Sequence, residues 1–257
     1  MADPVSIAVI YPDLLGTYGD GGNAVILAQR LRWRGMEAEI VEVRAGQPAP
    51  ASCNIYVLGG GEDAPQALAA DQLLIDRPLH KAVDGGAVVF AVCAGLQVVG
   101  RSFLVAGGRL RPGLGLLDVT TGRAARKRAV GEIVVEPDAH WSGRLPVLTG
   151  YENHAGITEL GPDAAPLGRV VTGVGNGAGD GLEGAVCGKV LGTYLHGPVL
   201  ARNPALADLL LSWAVGDLEP LDDGEAEALR SERLATSRAA NGHGSSGRRW
   251  RRLVHRT

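Results

Sequence analysis

The stretch that most constrains the fold of this chain is AVVFAVCAGLQVV, residues Ala87–Val99. Its first six residues are an unbroken apolar run, which indicates a strand buried on both faces of a parallel sheet. The run breaks at Cys93-Ala94-Gly95, and the apolar residues that follow predict the first turns of a helix. A cysteine on a sharp turn between a buried strand and a helix is typical of a nucleophile elbow, which lifts the sulfur out of the sheet.

The alternative interpretation of Cys93 is a buried, inert cysteine, since free cysteine is among the most buried residue types. The pattern Cys-x-Gly-x-Gln directly after a buried strand favours the reactive interpretation. A helix that begins just after Cys93 would also favour the thiolate form. The rest of the chain must then supply a base and donors for an oxyanion.

The composition fits one large α/β domain or two small ones. The chain has 257 residues, of which 46% are hydrophobic, and its 38 glycines suit many short turns. A net charge of −3 argues against a nucleic-acid-binding body. The three cysteines include no CxxC pair, so neither a disulfide framework nor a zinc site is indicated. With no basic leader and no long apolar run, we expect a soluble, cytoplasmic protein.

The hydrophobic pattern predicts an α/β fold with an open, mostly parallel sheet flanked by helices, followed by a β-rich second half. Strands are predicted at Ser6–Tyr11, Ala38–Val43 and Asn54–Leu58 in addition to the central one. Helices are predicted at Asn23–Arg34, at Ala67–Val83 with an interruption at Pro78, and at Pro204–Val215. The β-type runs of the second half include Leu116–Val119 and Glu132–Glu136.

Two glycine-rich loops follow predicted strands. The loop Asp13–Asn23 lacks the Lys-Ser/Thr ending of a P-loop and the GxGxxG spacing, so a turn that borders a site is favoured over a phosphate cradle. Gly59-Gly60-Gly61 lies at the end of a strand, where ligands of open α/β sheets bind. Beside an elbow, these glycines predict one oxyanion donor, the N–H of Gly60, with the N–H of Ala94 as the second. A plain flexible turn is the alternative.

Three residues are candidates for the base. Glu152 and His154 stand in the block Gly150–Gly156, which we interpret as a loop. His196 follows a β-rich stretch and precedes Gly197-Pro198, so it is predicted at a strand end, where α/β active sites form. Because a catalytic cysteine and histidine meet in space rather than in sequence, we favour His196, with a structural histidine as the alternative.

A cluster of cations, Arg123, Arg126, Lys127 and Arg128, lies within the β-rich half. Such a run usually forms a solvated face. An arginine fork also suits a substrate carboxylate, so the cluster remains a candidate for binding.

Several separate blocks give the chain a family resemblance over residues 5–215. The cysteine block, the upstream glycines and the late histidine resemble the class I glutamine amidotransferases, which hydrolyse glutamine and pass ammonia to a synthetase. Further blocks resemble the cobyric acid synthase-like group of this family. Within that group they are most similar to the glutaminase subunits of lipid II isoglutaminyl synthases. The blocks that carry this narrower likeness are Tyr11–Leu15, Tyr18–Asn23, Gly150–Gly156, Tyr194–Pro198 and Asn203-Pro204.

The resemblance implies a role for each matching residue. Cys93 is the nucleophile, and His196 is the general base and acid. Gly60 and Ala94 provide the oxyanion hole, and Gln97 neighbours the substrate. In this family the arginine that contacts the substrate lies in a segment of the form Arg-x-hydrophobic-Gly, which Arg128-Ala129-Val130-Gly131 matches.

The resemblance also implies a partner. It is a Mur-ligase-like synthetase subunit of the MurT type, in a heterodimer, which uses ATP and Mg²⁺ to activate the α-carboxyl of D-glutamate in lipid II. No cofactor and no metal are expected in this chain, which we place at the inner face of the membrane. The alternatives are a glutaminase that serves another synthetase, such as the cobyric acid type, a docking subunit without activity, and a stand-alone cysteine hydrolase.

One position departs from the family pattern. Many class I amidotransferases have a glutamate two residues after the histidine, which orients the imidazole, whereas this chain has Pro198. We therefore hypothesise that the synthetase partner supplies the orienting group, with Glu152 as the nearest substitute within the chain. On this hypothesis the isolated chain is a poor glutaminase.

The composition divides the chain into three parts. Residues 1–216 form the amidotransferase-like domain, and 217–236 form an acidic, helix-prone extension that suits docking. Residues 237–257 are rich in Gly and Ser and then basic, and we expect them to be disordered. The basic cluster Arg248–Arg252 suits an anionic membrane surface, although a solvated tail without a role is the simpler interpretation.

Overall fold

The computed structural model describes residues 3–123 and 127–235 of the chain. The expected basic tail at 237–257 and Arg126 of the cation cluster lie outside these residues. No helix within the described ranges is long and apolar enough to cross a membrane.

A six-stranded sheet forms the centre of the fold, with the strand order β13-β14-β4-β3-β1-β2. All neighbouring strands are parallel except β13, which runs antiparallel to β14. Every residue of β4 is buried, because strands cover both of its edges and helices cover its faces. The strands are β1 (Val5–Ile10), β2 (Ala38–Val43), β3 (Ile55–Leu58), β4 (Val88–Val92), β13 (Ala185–Cys187) and β14 (Val190–Thr193).

Two groups of helices pack against this sheet. Helices α1, α5 and α6 contact one another, and α2 contacts both α3 and α4. The predicted break at Pro78 is confirmed, since α2 and α3 are separate helices and proline occupies the first position of α3. The helices are α1 (Gly22–Trp33), α2 (Asp63–Leu74), α3 (Pro78–Asp84), α4 (Ala94–Val99), α5 (Val199–Arg202) and α6 (Pro204–Val215).

The β-rich second half contains two four-stranded sheets. One has the order β10-β7-β5-β6 and consists of β5 (Ser102–Val105), β6 (Arg109–Pro112), β7 (Val119–Arg123) and β10 (Gly156–Leu160). The other has the order β12-β11-β8-β9 and consists of β8 (Ala129–Pro137), β9 (Leu148–His154), β11 (Gly168–Thr172) and β12 (Leu182–Glu183).

Two predictions for this half are wrong. A strand was predicted at Leu116–Val119, but the N–H groups of Leu116 and Leu117 bond to the carbonyl of Val99 at the end of α4, so the strand begins only at Val119. Glu152 and His154 were predicted in a loop, but both lie in β9 and are buried. The predicted strand at Glu132–Glu136 is confirmed as part of β8.

Beyond α6, residues 224–235 form a further helix, α7. Asp223, just before it, forms an ion pair with the buried Arg30 of α1, at 2.7 Å. Within α7, Arg230 donates a hydrogen bond of 2.6 Å to the carbonyl of Val147. The helical part of the acidic extension therefore packs against the body of the protein.

Candidate active site

The nucleophile elbow predicted from the sequence is present. β4 ends at Val92, α4 begins at Ala94, and Cys93 between them has φ 52° and ψ −105°. A positive φ is strained for a residue with a side chain, and such strain is concentrated at functional sites. Gly95 allows the turn to pack closely, because a Cβ at this position would lie 2.7 Å from the carbonyl oxygen of Leu58.

His196 is brought to Cys93 by the strand next to β4. β14 pairs with β4 in parallel, and the N–H of Cys93 donates a hydrogen bond of 2.8 Å to the carbonyl of Thr193, the last residue of β14. Three residues later, the His196 ring is buried, and its Nε2 has no hydrogen-bond partner among the described residues. The carboxyl ends of two adjacent parallel strands thus place the predicted nucleophile and the predicted base at one edge of the sheet.

The other ring nitrogen of His196 faces a carboxylate within the chain. Asp20 is fully buried, and its Oδ2 lies 3.1 Å from Nδ1 of His196. Burial alone would lower the pKa of His196, but the hydrogen bond with Asp20 and the neighbouring Cys93 together raise it to about 10. Asp20 thus occupies, within this chain, the position that the hypothesis gives to a group of the partner, whereas the low activity expected of the isolated chain stays a prediction.

Glu152 has a different role from the one considered for it. Its carboxylate accepts hydrogen bonds of 2.9–3.0 Å from the N–H groups of Val174 and Gly175, which hold it within the β-rich half. His154 stacks on the ring of Tyr194, with centroids 3.8 Å apart. Neither side chain has a hydrogen bond to His196 in the part of the chain that the structure describes, so the orienting group is Asp20 and not Glu152.

Asp20 also binds the glycine loop after β3. Its Oδ2 accepts a hydrogen bond of 2.9 Å from the N–H of Gly60. The Gly60 N–H was predicted as an oxyanion donor, but here it is engaged by the carboxylate. Gly61 and Ala94, in contrast, both line the cavity beside Cys93, which makes the N–H of Gly61 a candidate for the partner of the Ala94 N–H.

Four of the six predicted site residues line one small polar cavity. They are Cys93, Ala94, Gln97 and Arg128. His196 and Gly60 do not line this cavity, although a Cβ on Gly60 would lie 2.9 Å from the His196 ring. The wall of the cavity therefore includes both the predicted nucleophile and a cation.

Arg128 is held in place by two neighbours. Its guanidinium donates hydrogen bonds to Asn153 Oδ1 at 2.5 Å, to the Asn153 carbonyl at 3.0 Å and to the Tyr18 hydroxyl at 2.9 Å. Arg123 also lines the cavity but forms an ion pair of 2.9 Å with Asp63, whereas Lys127 is exposed and outside the lining. Arg128 is thus the cation of the cluster that faces the cavity without a carboxylate partner among the described residues.

Gln97 forms part of the cavity wall through two hydrogen bonds. Its Oε1 accepts from Gln66 at 2.8 Å, and its Nε2 donates to the Tyr194 hydroxyl at 3.0 Å. The Tyr194 hydroxyl is also 2.7 Å from Oγ1 of Thr158. Both polar atoms of the Gln97 amide are therefore engaged within the protein.

Three residues at the site, Asp20, Tyr18 and Glu62, were not predicted from the sequence. Tyr18 packs edge-on against His196, with ring centroids 4.9 Å apart, and its hydroxyl donates a 3.3 Å hydrogen bond to Glu62, which lines the cavity. The available indication was the position of the loop Asp13–Asn23 at the carboxyl end of β1. Among the described residues, no group of three or more His, Cys, Asp or Glu side chains is placed to hold a metal ion.

Comparison with known proteins identifies the family of the chain. Residues 6–204 match the family model of the CobB/CobQ-like glutamine amidotransferase domain. The chain is 36% identical over 234 residues to the GatD subunit of the glutamine-hydrolysing lipid II isoglutaminyl synthase of Staphylococcus aureus strain N315, covering 88% of this chain and 93% of that protein. The corresponding subunit of Streptococcus pneumoniae strain ATCC BAA-255 / R6 is 33% identical, with coverage of 82% of this chain and 80% of that protein.

Two further comparisons are more distant. A cobyric acid synthase of Rhizobium leguminosarum bv. trifolii is 36% identical over 167 residues, but the match covers 63% of this chain and 32% of that protein. A crystal structure described as a glutamine amidotransferase aligns with a TM-score of 0.57 at 24% identity, over 81% of this chain and 98% of that one. At this identity the structural likeness concerns the fold.

Proposed function

The chain belongs to the CobB/CobQ-like glutamine amidotransferase family, and on this premise we propose that it is the glutamine-hydrolysing subunit of a lipid II isoglutaminyl synthase. The observation that carries the proposal is the buried Cys93–His196–Asp20 arrangement next to a cavity that Arg128 lines. Two relatives that match this chain over most of their own length are GatD subunits of such synthases.

In the proposed reaction, Arg128 binds the α-carboxylate of glutamine and so directs the side-chain amide toward Cys93. The Cys93 thiolate attacks the amide carbon, and the N–H groups of Ala94 and Gly61 stabilise the oxyanion that forms. His196, held by Asp20, gives its proton to the leaving ammonia as the C–N bond breaks. Water activated by His196 then hydrolyses the thioester, which releases glutamate and restores the thiolate.

The ammonia requires an acceptor in a second subunit. We propose a Mur-ligase-like partner of the MurT type in a heterodimer, which binds ATP and Mg²⁺ and activates the α-carboxyl of D-glutamate in lipid II. Attack of ammonia then gives D-isoglutamine. Residues 1–216 would form the catalytic domain, with 217–236 as a helical extension, and the complex would work at the inner face of the membrane, where the basic tail suits anionic lipids.

A cobyric acid-type acceptor is the second candidate. The cobyric acid synthases matched here are 33–39% identical to this chain, but it spans only 31–40% of their length. The GatD subunits match 82–88% of this chain and the cobyric acid synthases 60–81% of it, so the GatD-type acceptor is favoured.

The test is release of glutamate from glutamine by the full chain, alone and with a Mur-ligase-like partner, followed by ATP-dependent amidation of lipid II. The proposal expects glutamate in both cases and amidated lipid II only in the complex. A docking subunit without activity would release none, and a cysteine hydrolase of another kind would not respond to glutamine. Cys93→Ser should abolish the reaction, whereas Cys187→Ser, outside the cavity lining, should not.

A further inference from the structure

A carboxylate lies opposite Arg128 across one hydroxyl group. The Tyr18 hydroxyl accepts a hydrogen bond of 2.9 Å from Arg128 Nη2 and donates one of 3.3 Å to Glu62 Oε1. Glu62 and Arg128 both line the cavity that contains Cys93. A cation and an anion are thus held two hydrogen-bond lengths apart at the same cavity.

This spacing suits the zwitterionic end of a free amino acid. The α-carboxylate and the α-ammonium group of such a molecule are attached to the same carbon atom. The protein groups that bind them must therefore lie close together, one cationic and the other anionic. Arg128 provides the cation for the carboxylate. The α-ammonium group then needs an acceptor nearby, because a charge that enters a cavity unpaired loses its hydration.

Two carboxylates of the cavity wall are candidates for this acceptor. Asp63 forms an ion pair of 2.9 Å with Arg123, which also lines the cavity. Glu62 has no ion pair among the described residues, and its contact with Tyr18 is to a neutral hydroxyl whose pKa is raised by burial. Of the two, Glu62 has the uncompensated charge, and only the Tyr18 hydroxyl separates it from the guanidinium that would bind the carboxylate.

We propose that Glu62 binds the α-ammonium group of glutamine, so that Glu62 and Arg128 together select a free amino acid. This inference rests on the proposed glutaminase function and adds the residue that determines its substrate class. It implies that glutamine derivatives without a free α-ammonium group are poor substrates even when the amide to be hydrolysed is unchanged.

The experiment compares L-glutamine with glutaramate, which lacks only the α-amino group, in the full chain with its synthetase partner. The wild type should prefer glutamine in kcat/KM by about tenfold to a hundredfold, the range for a hydrogen bond to a charged group. Glu62→Gln should remove this preference by lowering kcat/KM for glutamine and leaving glutaramate nearly unchanged. Glu159→Gln, the same change at an exposed position outside the cavity, should retain the preference.

Tyr18→Phe separates binding by Glu62 from an effect transmitted through Tyr18. It removes the hydroxyl but leaves the carboxylate, so the preference for glutamine should persist. Loss of the preference in Tyr18→Phe, an equal loss for both substrates in Glu62→Gln, or a wild type without preference would overturn the role of Glu62. If the wild-type complex releases no glutamate at all, the proposed function itself fails.

Discussion

The Asp20 carboxylate holds two parts of the candidate site at once. It accepts from the Gly60 N–H at 2.9 Å and faces the His196 ring at 3.1 Å. A carboxylate behind a histidine fixes the tautomer and the direction of the ring, and it stabilises the imidazolium that forms during catalysis. Asp20 therefore connects the orientation of the base to the position of the glycine loop.

Replacing Asp20 with Asn tests this connection. The Asn oxygen can take the place of Oδ2 and accept from Gly60, but the NH₂ group then replaces Oδ1, which lies 3.3 Å from Nδ1 of His196, and the negative charge that stabilises the imidazolium is lost. We expect kcat for glutamine hydrolysis to fall by roughly a hundredfold to ten-thousandfold. Asp13→Asn in the same loop, where Asp13 binds the Ala45 N–H, is the matched control and should stay close to wild type. Comparable kcat values for the two variants would contradict the role of Asp20.

The same variant should change the dependence of the reaction on pH. Asp20 helps to raise the pKa of His196 to about 10, so the protonated imidazole, which donates to the leaving ammonia in the proposed reaction, persists in alkaline solution. Without the carboxylate the pKa of His196 falls, and the alkaline limb of the kcat profile should move to lower pH. If the pH profile of kcat has the same shape in Asp20→Asn and in the wild type, the alkaline limb does not reflect the titration of His196.

Arg128 is expected to act mainly on substrate binding. Arg128→Ala should raise KM for glutamine by about tenfold or more, since it removes a charge-assisted bond to the α-carboxylate. Lys127→Ala should have little effect, because Lys127 is exposed and outside the cavity lining. Arg123→Ala should cost less than Arg128→Ala, because Arg123 is paired with Asp63. Equal KM values in all three variants would indicate a merely charged face.

Individual site residues could be predicted where they directly follow a recognisable strand in the sequence. The apolar run before Cys93 and the strand end before His196 are such cases, and both side chains lie at the expected edge of the sheet. Asp20 was not predictable in this way. It lies in the loop that follows β1, and β3 and β4 separate β1 from β14, so its contact with His196 depends on the order of strands in the sheet.

At the scale of the elements, β12 carries a buried carboxylate that contacts the end of β14, the strand that leads to His196. Glu183 is fully buried and accepts hydrogen bonds from the Thr193 hydroxyl at 2.5 Å and the Tyr194 N–H at 2.9 Å. Burial raises the pKa of Glu183 to about 7, and the hydrogen bonds only partly oppose this effect. Because the Glu183 carboxylate accepts both bonds, its protonation affects Thr193 and Tyr194, which directly precede Leu195 and His196.

The raised pKa of Glu183 predicts how stability depends on pH. The folded state binds this proton more tightly than the unfolded state, so the stabilisation is fully present below the ordinary pKa of 4.5 and is lost as pH rises through about 7. The loss is on the order of 3 kcal/mol. Glu183→Gln should remove this decline between pH 5 and pH 8 in urea unfolding, whereas the exposed Glu159→Gln should not. Parallel pH dependence in all three proteins would contradict the prediction.

How well each strand could be predicted depends on the hydrophobic pattern of its own sequence. The strands β1 to β4 of the central sheet are short, mostly apolar runs, and their positions differ from the predictions by one residue or less at each end. In β9 the polar residues Glu152 and His154 alternate with others along a buried strand, which made the segment resemble a loop. Their partners, the Val174 and Gly175 amides and the Tyr194 ring, lie far along the chain and are not visible in the local pattern.

At the scale of the whole molecule, Arg30 links three distant segments. The side chain is buried in α1 and binds Asp208 of α6 and Asp223 before α7, each at 2.7 Å. These bonds raise the pKa of Arg30 further above its ordinary value, even though burial opposes its charge. The extension beyond α6 is thus attached to the body of the protein by a buried cation.

Asp223→Ala should destabilise the protein while leaving the active site intact. Arg30 would keep Asp208 but lose its second carboxylate, at a cost of about 1–3 kcal/mol for a hydrogen bond to a charged group. Glu225→Ala, an exposed position near the start of α7, is the control and should change the free energy of unfolding by less than about 0.5 kcal/mol. Urea unfolding of both variants gives the comparison, and equal midpoints would mean that the link contributes no stability.

The order of strands has a consequence for how the protein is made. β14 pairs with β4 and carries the chain to His196, yet the whole β-rich half separates the two strands along the chain. During synthesis on the ribosome, Cys93 therefore emerges well before its base, and one edge of β4 stays unpaired until β14 has been made. Long-range pairing of this kind is slow to form and exposes a strand edge to aggregation. An unfinished chain would hold its nucleophile without the base, so glutamine would not be consumed before the subunit is complete.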